Sequence, residues 1–349
     1  MSLDWAHWAI TQIDADFNRS ADTHLIRLPL ANFPGIDIYL KDESIHPSGS
    51  LKHRLARSLF LYAICNGWIK EGTPIIEASS GSTAISEAYF AKLLKLPFHT
   101  VIPSGTAREK VCKIGFLGGE CHLTDQSDIY SVATQLATEL GGHYMDQFTF
   151  AERATDWRGN NNIAESLFRQ MELERFPQPA WVVVGAGTGG TSATIGRFIR
   201  YQKLHTKLCV ADPENSVYGE YYANGDASVT TTQRSRIEGI GRPRVEPSFV
   251  REVIDRMVTV PDGASIAAMS RLEKLLDRRC GASTGTNMWA VLQIAEEMRS
   301  ANQSGSIVTI LCDGGERYAD TYYDAGWLAE QGICVDEYAH QLDSLAVEC

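Results

Sequence analysis

The apolar residues of this chain fall into two patterns that take turns along its length. Short, largely β-branched runs bounded by Gly, Pro or polar clusters read as buried strands, and longer stretches with apolar residues at helical spacing read as helices packed on them. From Leu51 onward the pattern predicts a helix over 51–68, a strand over 74–77, a helix over 83–94 and a strand over 98–102. A helix over 107–117, a strand over 120–123 and a helix over 129–140 follow. A second series starts near Asp146, with a helix over 161–171, the strand Trp181-Val182-Val183-Val184, a Gly-rich turn, a helix over 192–202 and a strand over 207–210. Helices over 264–278 and 287–299, a strand over 306–311 and a closing helix complete it. Strands alternating with helices in this way predict parallel sheets with crossover helices, an α/β fold.

Three stretches fall outside the alternation. Residues 1–22 read as a helix or arm whose aromatics, Trp5, Trp8 and Phe17, pack against the protein's own body or a second subunit. The stretches 25–30 and 36–41, separated by Pro34-Gly35, read as two short strands. Residues 213–248 form a long polar segment, and loops of that length in compact proteins are usually functional or mobile. The length of 349 residues suits two lobes or one large α/β unit.

Charge and cysteine usage narrow the partners. A net charge of −11 argues against nucleic acid or an anionic membrane surface as the main partner. The eight cysteines, Cys65, Cys112, Cys121, Cys209, Cys280, Cys312, Cys334 and Cys349, are scattered. With no C-x-x-C pair and no Cys/His cluster at zinc-ligand spacing, they predict free thiols in a reducing compartment and no metal. The first residues lack the basic and then apolar pattern of a signal peptide, and no apolar run approaches membrane-spanning length, so a cytoplasmic protein is expected.

Four turns carry candidate chemistry. In His46-Pro47-Ser48-Gly49-Ser50-Leu51-Lys52-His53-Arg54, Lys52 stands where a Pro/Gly/Ser turn meets a helix, a junction that can aim an amine into a cleft; by itself such a lysine is more often a solvated surface charge. Val184-Gly185-Ala186-Gly187-Thr188-Gly189-Gly190-Thr191 follows a strand and opens a helix, the arrangement of a phosphate cup. It also satisfies G-x-G-x-x-G, with Asp212 about 20 residues on, so the turn alone leaves a nicotinamide dinucleotide open. Glu77-Ala78-Ser79-Ser80-Gly81-Ser82-Thr83 places small hydroxyl donors at another helix start, suited to a carboxylate, with Ser79, Ser80 or Ser82 as a simple N-cap in the structural alternative. Ser283, in Gly281-Ala282-Ser283-Thr284-Gly285-Thr286, stands at a helix start it could merely cap, and Asp313-Gly314-Gly315-Glu316-Arg317-Tyr318 reads as a structural turn.

An amine, donors for a phosphate, a late hydroxyl and a carboxylate loop are together the needs of pyridoxal phosphate. Their order and wording resemble the cysteine synthase / cystathionine β-synthase group of pyridoxal-phosphate enzymes, fold type II, from about Thr23 to Tyr322. The resemblance implies two lobes, each with a twisted, mostly parallel sheet flanked by helices, and the cofactor in the cleft between them. It implies a larger cofactor-binding domain of residues 1–48 and 151–349, and a smaller α/β domain of residues 49–150 carrying Lys52 and the substrate loop. The family's P-S-x-S-x-K-x-R stretch is matched by Pro47 to Arg54, which makes Lys52 the Schiff-base lysine. Its phosphate cup is matched by Gly187, Thr188, Gly189, Gly190 and Thr191, and its ring-nitrogen serine by Ser283. Its T-S-G-N-T substrate loop is similar to Ser79, Ser80, Gly81, Ser82 and Thr83, its Q-F pair, whose glutamine reaches the substrate carboxylate, to Gln147-Phe148, and its G-I-G turn, which lines the cleft, to Gly239-Ile240-Gly241, so that Gln147 and Gly239 join the substrate-binding residues. Ser82 stands where the family has the asparagine that bonds the cofactor's ring oxygen, and Asp156 to Asn162 departs from the usual synthase wording.

What the resemblance implies for activity is loss of a β-substituent from an amino acid, with Lys52 as the α-proton base. Release of the product as pyruvate and ammonia makes a cysteine desulfhydrase; addition of a thiol or sulfide makes a cysteine synthase or cystathionine β-synthase. The S-S-G-S-T loop and the Asn-rich stretch resemble the desulfhydrase branch more, so a lyase acting on L-cysteine is expected, as a homodimer whose partner is a small amino acid. A nicotinamide-dependent oxidoreductase and a non-catalytic amino-acid-binding protein are the readings from other classes.

Overall fold

The computed structural model of the chain describes residues 3–19, 22–125 and 127–345. Ten strands run through them: β1 (Leu25–Arg27), β2 (Ile36–Asp42), β3 (Ile75–Glu77), β4 (Phe98–Pro103), β5 (Gly119–Thr124), β6 (His143–Tyr144), β7 (Trp181–Gly185), β8 (Lys207–Pro213), β9 (Arg256–Val260) and β10 (Gly305–Leu311). The chain divides into two compact units, a smaller one of residues 1–22 and 46–155 and a larger one of residues 23–45 and 156–349. Each holds its own sheet, as an α/β chain of this length requires. No helix among the described residues is long and apolar enough to cross a membrane.

In the smaller unit the strands lie in the order β5-β4-β3-β6, all parallel. The chain steps outward from β3 to β5 through helices Ser82–Leu93 and Arg108–Phe116, then returns through helix Ile129–Glu139 to the other side of β3. Ile75, Phe60, Ile85 and Phe90 are fully buried in its core. The helix Asp4–Asn18 joins that core: Ala9 and Ile13, one helical turn apart, are both 0% exposed in it. Tyr89 donates its hydroxyl to Asp16 at 2.8 Å, and the Arg57 guanidinium lies 4.2 Å above the Phe17 ring. Residues 1–22 therefore pack with the smaller unit rather than with the larger domain expected to include them. Their apolar face has its partners on helices Lys52–Cys65 and Ser82–Leu93, which periodicity alone does not reveal.

The larger unit orders its strands β1-β2-β10-β7-β8-β9, with only β1 antiparallel to its neighbour. Ile38, Leu40, Val183, Ile307 and Leu311 meet in its core with Met288 and Ile294 of helix Ala282–Ser300. That helix begins at Ala282, ahead of the expected 287, because its small residues serve close packing rather than a turn. A Cβ on Gly285 would run into the Ser265 carbonyl of helix Asp262–Leu276. The alternating Arg256-Met257-Val258-Thr259-Val260 forms an edge strand, β9, that the apolar-run pattern passes over. The polar segment 213–248 contains helix Tyr218–Asn224 and is tied back to the unit, Val217 N–H donating to Arg242 at 2.9 Å and Gly241 N–H to Ala186 at 2.9 Å.

Candidate active site

In an open parallel sheet the place for a ligand is the carboxyl end of the strands where the chain reverses its direction of stepping. The smaller sheet reverses between β3 and β6, and the larger between β7 and β10. The loop Ala78–Gly81 leaves β3 at that end and Gln147 follows β6; in the other unit the Gly-rich turn leaves β7 and Asp313 follows β10. Topology thus selects the same turns that residue chemistry did.

In the smaller unit Lys52 is the first residue of helix Lys52–Cys65 and is half-buried, unlike a solvated surface lysine. The turn before it is fixed by Gly49, whose φ of +79° suits glycine, and by Ser48. The Ser48 hydroxyl lies 2.8 Å from that of Ser86 on helix Ser82–Leu93 and 3.1 Å from His53 Nδ1, tying the lysine turn to that helix. The Ser50 hydroxyl, two residues before the lysine, is buried with no protein partner.

Helix Ser82–Leu93 starts at Gly81 with no side-chain cap, so none of Ser79, Ser80 and Ser82 serves as the N-cap that the structural alternative assigned them. First-turn N–H groups, which a helix cannot satisfy from its own carbonyls, are joined there by hydroxyls. Ser79, Ser80, Gly81 and Ser82 are half-buried, while Thr83 is buried and donates its hydroxyl to Gln147 Oε1 at 2.8 Å. The fold therefore brings the loop and Gln147 together across 64 residues of chain.

Below this loop lie two carboxyl groups whose roles the sequence did not suggest. Glu77, at the end of β3, accepts from Ala78 N–H at 2.7 Å with one oxygen and from Gln147 N–H at 3.3 Å with the other. Glu87, on the helix, is 0% exposed, and neither of its oxygens meets a donor while both acids are ionised. The two carboxyls contact one another, and burial pushes both toward the neutral form, Glu77 to about 7 against the pull of its two N–H donors. Glu77 adds to the upward shift of Glu87, and Lys52 opposes it. Two buried acids in contact satisfy each other when they share one proton. A glutamate in the middle of the apolar run Ala84-Ile85-Ser86-Glu87-Ala88 was the available signal.

In the larger unit the turn after β7 starts helix Gly190–Tyr201 from Gly189 at φ +88°. Thr188 Oγ1 accepts from Gly190 N–H at 3.2 Å, and the Tyr218 hydroxyl donates to the Gly187 carbonyl at 2.7 Å. A Cβ on Gly187 would strike the Gly239 carbonyl, and one on Gly189 would come within 2.5 Å of Phe249 Cα. Gly187, Thr188, Gly189, Gly190 and Thr191 are thus brought against Gly239-Ile240-Gly241, with Gly239 itself exposed. Ser283 is buried in the first turn of helix Ala282–Ser300, whose cap position is Gly281, so it does not cap the helix. It stands beside the turn after β10, where Gly281 N–H donates to the Asp313 carbonyl at 3.3 Å.

Two further sequence readings meet the structure here. Asp212 is 1% exposed at the end of β8 and accepts from Gly219 N–H at 3.0 Å, with burial raising its pKa to about 7. It serves helix Tyr218–Asn224 and is not the open, ionised acid that would take a ribose hydroxyl. Asp313 is buried and accepts from the Tyr318 hydroxyl at 2.8 Å while pairing with Arg317, a structural turn as expected.

Comparison with known proteins gives the same turns a context. A family model described as "Pyridoxal-phosphate dependent enzyme" matches residues 18–313. The chain is 57% identical to L-cysteine desulfhydrase Cds1 of Mycobacterium tuberculosis, over 95% of this chain and 92% of that protein. It is 28% identical to a cysteine synthase of Aquifex aeolicus, over 82% of this chain and 83% of that one. Among solved structures, that of an O-ureido-L-serine synthase is similar at a TM-score of 0.78 and 26% identity, over 92% of this chain and 98% of that one.

Proposed function

Because the chain belongs to the pyridoxal-phosphate dependent enzymes, we propose that it is a cysteine desulfhydrase, a lyase that turns L-cysteine and water into hydrogen sulfide, pyruvate and ammonia. The observation that carries the choice is the 57% identity to a protein named L-cysteine desulfhydrase, against 28% to one named cysteine synthase.

The donor set supports the fit to pyridoxal phosphate. Glycines at 187 and 189 let the backbone of Gly239 and Phe249 pack where no Cβ has room, which fixes a turn of N–H donors suited to a phosphate at the N-terminus of a helix. A half-buried amine at position 52 and a buried hydroxyl at Ser283 complete the set. When bound, the cofactor supplies a ring that takes up the negative charge developing at the substrate α-carbon.

Each residue then has a task. Lys52 holds the cofactor through its amine and receives the α-proton at Nζ. Gly187, Thr188, Gly189, Gly190 and Thr191 would hold the phosphate, Ser283 would be the neutral partner of the ring nitrogen, and Gly239, beside the same turn, would line the substrate site. Ser79, Ser80, Gly81, Thr83 and Gln147 would hold the substrate carboxylate through N–H and O–H donors, with Gln147 Oε1 held in place by the hydrogen bond it accepts from the Thr83 hydroxyl. Ser82 would stand by the ring oxygen in place of the family's asparagine, with a shorter side chain. The smaller unit, residues 1–22 and 46–155, would act as the substrate-loop domain, and the larger, residues 23–45 and 156–349, as the main cofactor domain. The reading also takes the enzyme to be a homodimer in the cytoplasm, a reducing compartment with which the free thiols of Cys65, Cys112 and the other described cysteines agree.

A paired assay of the purified enzyme tests this reading: sulfide release from L-cysteine beside cysteine formation from O-acetylserine and sulfide. Faster sulfide release is expected. Markedly faster cysteine formation would move the enzyme to the synthases.

A further inference from the structure

On the sheet of the smaller unit, strands β4 and β5 carry a group of side chains that the proposed reaction does not use. His99 of β4 is in register with Glu120 of β5, and His122 lies two residues further along β5. Residues in register on neighbouring strands share a face, and strand alternation puts Glu120 and His122 on that same face. The three side chains converge: His99 Nδ1 is 3.1 Å from His122 Nε2. Glu120 Oε2 lies 3.4 Å from His99 Nδ1, and Oε1 3.9 Å from His122 Nε2.

These separations match the donor spacing of a metal site. Zinc bound at about 2.0–2.1 Å with tetrahedral angles sets neighbouring donors about 3.3–3.4 Å apart. The two imidazole nitrogens stand 3.1 Å apart and each has a Glu120 oxygen near that distance, at 3.4 and 3.9 Å, and one donor atom from each residue lies within 4.8 Å of the other two. The protein's own hydrogen bonding is a poorer solution. One proton between the facing ring nitrogens satisfies those two atoms, and the carboxylate brings only lone pairs. A divalent cation satisfies all three donors.

We propose that His99, Glu120 and His122 bind a zinc ion that fastens the edge strand β5 to β4. The side chain of His99 is 15% exposed and that of Glu120 is 66% exposed, so the site opens to solvent beside the glutamate and leaves a fourth position for water. The chain spacing that argued against a zinc site counts residues along the sequence; here strand register closes the gap between residues 99 and 122.

The test uses the full-length holoenzyme, freed of metal on a chelating resin and kept away from L-cysteine, which itself binds zinc. Titration with zinc alone is expected to give one ion per chain that survives desalting and raises the melting temperature. Cobalt in its place is expected to show tetrahedral bands with no thiolate charge-transfer band. His99→Gln and His122→Gln are each expected to abolish this binding, and Glu120→Gln to weaken it at least tenfold, with metal-free melting temperatures unchanged. Zinc that washes off, binding that persists in the His99→Gln/His122→Gln double variant, or a thiolate band from exposed Cys65, Cys112 or Cys334 would each overturn the proposal. Should a variant fail to fold, the cobalt spectrum of the unaltered holoenzyme still decides.

Discussion

Helices Ser82–Leu93 and Gly190–Tyr201 both begin on a glycine, with no side chain capping either, and both follow a parallel strand at a point where its sheet reverses. Their foundations differ. The first rests on Glu77 and Glu87, two fully buried acids in contact. The second is held by the Tyr218 hydroxyl on the Gly187 carbonyl and by backbone packed against Gly187 and Gly189. One loop has donors whose supports can gain or lose a proton, and the other has donors set by shape. A phosphate that stays through every turnover suits the second kind, and a substrate carboxylate that arrives and leaves as protons move suits the first.

The largest change expected on the smaller-unit side of this comparison comes from Lys52→Ala. Sulfide release should fall at least about 10³-fold, with the visible absorption of the bound cofactor lost and the circular dichroism of the fold kept. Full activity in this variant would remove the central assignment.

On the larger-unit side, Gly189→Ala tests the claim that shape alone makes the cup. A left-handed backbone with a Cβ costs about 1–2 kcal/mol, and forcing it against the Phe249 backbone adds about 1–3 kcal/mol. A lower melting temperature and at least tenfold weaker cofactor binding, read by equilibrium dialysis, are expected at every pH. An effect that varied with pH would break the comparison.

Thr83→Val removes the hydroxyl that Gln147 accepts while keeping the side chain's shape. The loss of about 1–1.5 kcal/mol should appear as a roughly tenfold rise in KM for L-cysteine, with kcat changed less. Equal KM values would show that this hydroxyl does not organise the substrate loop.

The smallest expected effect is the most diagnostic of the buried acids. Burial raises the Glu77 pKa from 4.5 to about 7, so the folded state holds this proton more tightly than the unfolded chain does. Its contribution to stability is therefore complete below about pH 4.5 and is lost as the pH rises through about 7. Glu87→Gln replaces an acid with an amide that can donate to Glu77 and support its ionised form. Melting temperatures across that window should fall less steeply in the variant, by an amount equivalent to about 0.5–1 kcal/mol. Parallel slopes would show that the two acids do not share a proton.

The sequence made the turns legible but not the contacts beneath them. Gly187 to Thr191 is readable because glycines and hydroxyls in a strand-to-helix turn have few other uses, and the same holds for Ser79 to Thr83. The alternation of apolar runs gave the parallel sheets, since buried strands and crossover helices differ in length and period. The Thr83–Gln147 bond, the Glu77–Glu87 contact and the convergence of His99 with Glu120 and His122 all depend on strand order and register. No local pattern carries those. Residues 1–22 read as a helix or an arm for the same reason: the aromatics Trp5, Trp8 and Phe17 show in the sequence, but the helices that Ala9 and Ile13 pack against do not.

Reduction of the holoenzyme with borohydride, followed by peptide mass mapping, tests the central claim most directly, because it fixes the cofactor covalently to whichever amine holds it. The pyridoxyl group is expected on the peptide containing Lys52. Its appearance on another lysine, or on no peptide at all, would contradict the account.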